Sequence, residues 1–138
     1  MTTKTDTTPD AEVDKSKLPL VYSCSGCSSA AQMCNHVAIQ LDRKGLAEMS
    51  CIAGVGGDVR KLVKVVEQAD KTGRPIIGVD GCPLACVKNA LARHSVEPTV
   101  WHELSQYEVE KVYGMDFNPE EAVKILDMVI DSIPEVSE

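Results

Sequence analysis

The chain has 138 residues, 43% of them hydrophobic but only 4% aromatic, which suits one domain built round a single aliphatic core. A formal net charge of -7 and a pI near 4.9 exclude the broad basic face needed to sequester nucleic acid or an anionic membrane surface. No apolar run is long enough to span a bilayer, and the first residues, MTTKTDTTPDAEVDKSK, lack the hydrophobic segment of a secretory signal, so a cytoplasmic protein is expected.

Residues 1–17, rich in Thr, Asp and Lys, read as a disordered tail, residues 18–134 as one domain, and residues 135–138 as a short C-terminal tail. From Leu18 an apolar run, a small-residue loop and an amphipathic segment recur three times, the pattern of successive β-α units. The first unit has a strand at 18–23 and a helix at 29–44, with Ala30, Met33, Cys34, Val37, Ala38 and Leu41 on one buried stripe and Gly45 as its stop. The second has a strand at 46–50, the turn AGVGG, and a helix N-capped by Asp58 that carries Val59, Leu62, Val63, Val66 and Ala69 inward.

In the third unit the continuous apolar run PIIGV at 75–79 fits a central strand, and a helix is expected from Pro83 to about His94. A fourth strand at 99–104 follows. Ser105 with Glu108 makes a capping-box signal for a short helix ending near Gly114, and Asn118-Pro119-Glu120-Glu121 opens a last helix reaching Ile133. The expected fold is a three-layer α/β sandwich with a mainly parallel four-stranded sheet of order 2-1-3-4 and helices on both faces.

Six cysteines in a reducing compartment point to metal ligands or reactive thiols before disulfides. Five of them, Cys24, Cys27, Cys51, Cys82 and Cys86, fall just past predicted strand ends, which in a parallel sheet share one edge. A metal site formed from those five is therefore the leading reading, since tetrahedral zinc needs four ligands and three neighbouring loops supply them. In the C-x-x-C of Cys24 and Cys27, Gly26 permits a turn aiming both sulfurs the same way. Cys82 is expected at a helix N-cap with Cys86 one turn up on the same face.

Cys34, mid-helix on the apolar stripe, reads as a small buried hydrophobe. AGVGG lacks both the dinucleotide fingerprint and a Walker lysine, so a tight turn accounts for it better than a phosphate cradle. His36 and His94 fall within helices, leaving His102 as a reserve ligand.

At these residues the chain resembles the DGC-domain family, named for its Asp-Gly-Cys tripeptide. The matching segments are CSGCSSAAQ at 24–32, CIAGVGGD at 51–58 and VDGCPLACVKNAL at 79–91, within a resemblance covering about residues 19–131. The resemblance implies zinc binding through four cysteines that map onto Cys24, Cys51, Cys82 and Cys86, with Cys27 an additional thiol.

The expected function is thus that of a zinc-binding module, carrier or sensor whose partner is a metal ion, with no protein partner indicated. The alternatives are a redox or sulfur-transfer enzyme, with Cys82 or Cys86 as nucleophile and Cys24 or Cys27 resolving it, and an iron-sulfur protein on the same thiolates.

Overall fold

The computed structural model describes residues 14–134. The expected tail residues 1–13 and 135–138 lie outside this range, while Lys15–Lys17 form a 3-10 turn capped by the Asp14 carboxylate. Strands β1 (Leu20–Ser23), β2 (Glu48–Met49), β3 (Ile76–Asp80) and β4 (Val100–Glu103) form one sheet in the order β2-β1-β3-β4, with every pairing parallel. The predicted strand order is the observed one.

β1 and β3 are buried along their whole length, the result of mainly apolar strands paired on both sides. β2 is shorter than expected. The Leu46 and Ala47 N–H groups both donate to the Leu41 carbonyl, so these residues close the preceding helix instead of joining the sheet.

Helix α1 (Ser29–Arg43) connects β1 to β2 in one direction across the sheet, whereas α2 (Ile52–Gly56) and α3 (Arg60–Thr72) return from β2 to β3 in the other. Right-handed crossovers of opposite direction place their helices on opposite faces. α1 packs with α5 (Pro119–Asp131), and α2 packs with α3 and with α4 (Cys86–Ala92). The α1 stripe read from the sequence is fully inside, from Ala30 and Met33 to Leu41.

Three local expectations are corrected. AGVGG is not a simple turn, because Ile52–Gly56 wind into α2, where a side chain at Gly54 would lie 2.1 Å from Leu62 Cδ1. Close packing of α2 on α3, more than turn geometry, therefore accounts for that glycine. Asp58 does not cap α3: it has a left-handed backbone (φ 63), and its carboxylate pairs with Arg93 at 2.6 Å. Val59 takes the N-cap position instead and is half exposed. Ser105 and Glu108 form no capping box, since Glu103 accepts the Ser105 N–H and only a 3-10 turn, Leu104–Tyr107, follows. Asn118 caps α5 as read, taking the Glu120 and Glu121 N–H groups.

The open edge of the sheet is anchored by Asp42, a buried carboxylate near the end of α1. It accepts from Lys15 Nζ at 2.8 Å, from the Met49 N–H of β2 at 2.9 Å and from Arg43 at 3.0 Å. Burial pushes this carboxyl up, but the hydrogen bonds from Lys15 and Met49, with Arg43, outweigh it and hold the group below the usual carboxylate range. A depressed folded pKa contributes stability above the unfolded value, about 3.9, and loses it as pH falls through the folded value. Asp42→Ala should therefore cost about 1–3 kcal/mol at neutral pH, with the gap to the parent chain narrowing in acid. Chemical denaturation at neutral and acid pH measures both, and an undiminished gap in acid would contradict the assignment.

Candidate metal centre

Three consecutive residues at the end of the central strand organise the sheet edge. Asp80 is buried, and its carboxylate accepts the Val87 N–H at 2.8 Å, the Lys88 N–H at 3.2 Å and the Trp101 indole N–H at 2.9 Å. It thus satisfies orphan donors at the start of α4 and ties β3 to its neighbour β4. Gly81 follows, packed so closely on α1 that a Cβ would lie 2.9 Å from the Ala30 carbonyl carbon. Its N–H donates to Cys24 Sγ at 3.3 Å.

The helix expected at Pro83 begins one turn later. Ala85 donates its N–H to the Cys82 carbonyl at 3.1 Å and adopts a left-handed backbone (φ 54), so residues 82–85 form a turn and Cys86 is the first residue of α4. Cys82 is therefore not an N-cap. The cap comes through space from Asp80, which is why the local sequence misplaced the boundary.

The C-x-x-C loop departs from expectation in a second way. Cys24 turns inward and is buried, while Cys27 is exposed, so their sulfurs do not share a direction. The cause is the backbone. Cys24 N–H extends the ladder to the Val79 carbonyl at 3.0 Å, whereas the Cys27 carbonyl is drawn the other way by the Gly114 N–H at 3.2 Å. Cys34, in α1, is fully buried, and its thiol acts on Cys24.

The influence of the Cys34 thiol, joined by the Gly81 N–H and opposed by burial, holds Cys24 below the usual thiol range. Cys24 and burial push Cys34 up. At the Cys86 thiol the shift is also upward, from partial desolvation first and then from the negative charge of Asp80, Cys24 and Cys82 around it. Lys111 Nζ reaches Cys82 Sγ at 3.3 Å and lies 4.9 Å from the centre of the Tyr113 ring. Cys24 and Cys82 thus both act on Cys86. Cys51 is exposed at the N-cap of α2 and acts on Tyr22 of β1 instead.

A family model for the DGC domain matches residues 20–129, spanning these three cysteine loops and the fold that carries them. The chain belongs to the DGC domain family. A relative in Pseudomonas aeruginosa, the anaerobic and virulence modulator AnvM, is 55% identical over 108 residues, covering 78% of this chain and 79% of the relative. No solved structure matches the chain.

Within this DGC domain the donor chemistry suits a soft metal, since the clustered groups are free thiols. Their arrangement is not a closed coordination shell: among the described residues, no group of three His, Cys, Asp or Glu side chains is placed to hold a metal ion. Cys51 and Cys86 are both exposed.

His102, the reserve ligand, is buried away from the thiols. Its ring nitrogens lie 2.8 Å from the Tyr107 hydroxyl and 2.7 Å from Ser132 Oγ, and burial pushes its pKa down. His94 Nε2 contacts the Val55 carbonyl at 2.8 Å.

Sequence reading missed Asp80, Cys34 and Lys111 as parts of the site. The DGC tripeptide itself carried the signal for Asp80. Nothing local marked the other two, whose roles come from contacts across the fold. Asp80→Ala should strand the Trp101 indole and the start of α4, costing about 1–3 kcal/mol. Because Trp101 is the one tryptophan, its fluorescence during urea unfolding reads the loss directly. An unchanged midpoint would mean that Asp80 does not organise this edge.

Proposed function

We propose that this DGC domain is a soft-metal-binding module, with zinc as the ion, that serves as a carrier or sensor. The observation that carries the reading is the Gly81 N–H to Cys24 Sγ hydrogen bond. It joins loops from two strand ends, so thiols 58 residues apart in sequence, Cys24 and Cys82, meet at one sheet edge as free cysteines. Cys24, Cys82 and Cys86 would hold the ion, with Cys51 completing a tetrahedral set and Cys27 as a neighbouring alternative ligand. Bound zinc would supply a fixed positive charge and a cross-link between loops.

The electrostatics of the edge favour a cation. Partial burial, then the negative charge of Asp80, Cys24 and Cys82, pushes the Cys86 thiol up, and a dication bound there would offset that repulsion. An amide N–H on a ligating sulfur also orients and steadies the ligand, the role Gly81 has toward Cys24. The name of the Pseudomonas aeruginosa relative describes a modulator, which supports a regulatory role in preference to a catalytic one. A second reading, thiol redox or sulfur-transfer chemistry, draws on the Lys111 ammonium beside Cys82, a partner that stabilises a thiolate nucleophile.

Protein isolated without chelator should contain about one zinc per chain. Cys24→Ser, Cys82→Ser and Cys86→Ser should each lose most of it. Cys27→Ser should keep the metal but release it more slowly to a chromogenic chelator, because an incoming alternative thiolate is gone. Elemental analysis and stopped-flow release test these outcomes together. Colour and acid-labile sulfide would move the assignment to an iron-sulfur cluster, and full thiol titration with no transition metal would move it to thiol chemistry.

A further inference from the structure

Cys82 and Lys111 come from distant parts of the chain, yet both arms that carry them are fixed to the first turn of α1. Gly81, packed against Ala30, seats the Cys82 arm. Ser28 and Ser29 hold the other: the Val112 N–H donates to Ser29 Oγ at 3.0 Å, the Val112 carbonyl accepts the Ser29 N–H at 2.8 Å, the Glu110 carbonyl accepts the Ser29 hydroxyl at 3.2 Å, and Tyr113 bridges to Ser28. Two pinned backbones therefore bring Lys111 Nζ to 3.3 Å from Cys82 Sγ, with the centre of the Tyr113 ring 4.9 Å from the ammonium. Both side chains are only partly buried, so a small electrophile can reach the sulfur.

We propose that Cys82 and Lys111 form an acyl-relay modification site, at which an acyl thioester acylates Cys82 and the acyl group then passes to Lys111. Cys82 sulfur attacks the thioester carbonyl carbon; a new C–S bond forms, the old one breaks, and the departing thiol carries off the Cys82 proton. The Lys111 ammonium next releases one proton to solvent, and its nitrogen attacks the same carbon. The C–N bond forms as the C–S bond breaks, and a second nitrogen proton returns to the Cys82 sulfur. Nothing is oxidised or reduced, Cys82 is regenerated, and Lys111 becomes an amide without its charge. Such a transfer needs reacting groups held about 3–3.5 Å apart, and here the acyl carbon is carried on the sulfur that Lys111 already contacts. This relay goes beyond the metal reading and requires no metal; zinc bound through Cys82 would block it.

The test uses the reduced full chain in chelator-containing buffer, so that its outcome does not depend on whether zinc binds. The probe is N,S-diacetylcysteamine, a small acyl thioester. After quenching, cleavage at glutamates isolates Lys111 as the one lysine of the peptide 111–120, whose acetylation is read by mass spectrometry. The expected result is stable acetylation of Lys111 at least about tenfold above that of the exposed Lys61 and Lys64, the excess that intramolecular delivery gives. Cys82→Ser should lose that excess. Lys111→Arg keeps the positive charge and should instead trap the acetyl group on Cys82, from which hydroxylamine removes it. This variant alters no fully buried side chain, so the proposal stays testable however Cys82→Ser folds. Lys111 acetylated no more than Lys61 and Lys64, an excess that survives in Cys82→Ser, or no hydroxylamine-labile acetyl group on Cys82 in Lys111→Arg would each overturn the proposal.

Discussion

The Asp80 carboxylate receives three donors from two elements, the Val87 and Lys88 N–H groups of α4 and the Trp101 indole of β4, and the sheet edge is arranged around it. Without that carboxylate the left-handed turn at Ala85 would have no anchor at its far side, and Cys86 would lose its fixed place at the start of α4. The next residue sets the second constraint. Gly81 lies so close to Ala30 that no side chain fits, and only at that distance does its N–H reach the Cys24 sulfur. Asp-Gly-Cys is therefore a packing unit first: the acid holds the loop, the glycine seats it on α1, and the cysteine presents a thiol beside Lys111.

The same unit explains the uneven behaviour of the thiols. Cys24 receives the Gly81 N–H in a buried setting and is held below the usual thiol range, whereas partial burial and the charge of Asp80, Cys24 and Cys82 push Cys86 up. One is inclined to carry negative charge and the other to keep its proton. A site of this kind gains most from a ligand that is positive and soft, which is the physical basis of the metal reading.

The sheet was legible because its signal is non-local only in appearance. Continuous apolar runs at β1 and β3, separated by helices with clean stripes, leave few parallel topologies, and 2-1-3-4 is the one observed. Helix starts were less legible for a specific reason. Asn118 caps its own helix and was read correctly, but α4 is capped by a residue six positions before its first residue, and the promising Asp58 is spent on Arg93. The thiol cluster was visible as a set of strand-end cysteines, while its internal order was not. Inward and outward directions within C-x-x-C depend on the backbone partners Val79 and Gly114, which no local pattern marks.

The central claim is that the loops brought together by Asp80 and Gly81 bind a soft metal through thiolates. X-ray absorption at the zinc edge, on full-length protein isolated without chelator, tests it most directly. The account predicts bound zinc with an all-sulfur shell at about 2.3 Å. A shell dominated by nitrogen or oxygen, or protein that carries no zinc, would contradict it.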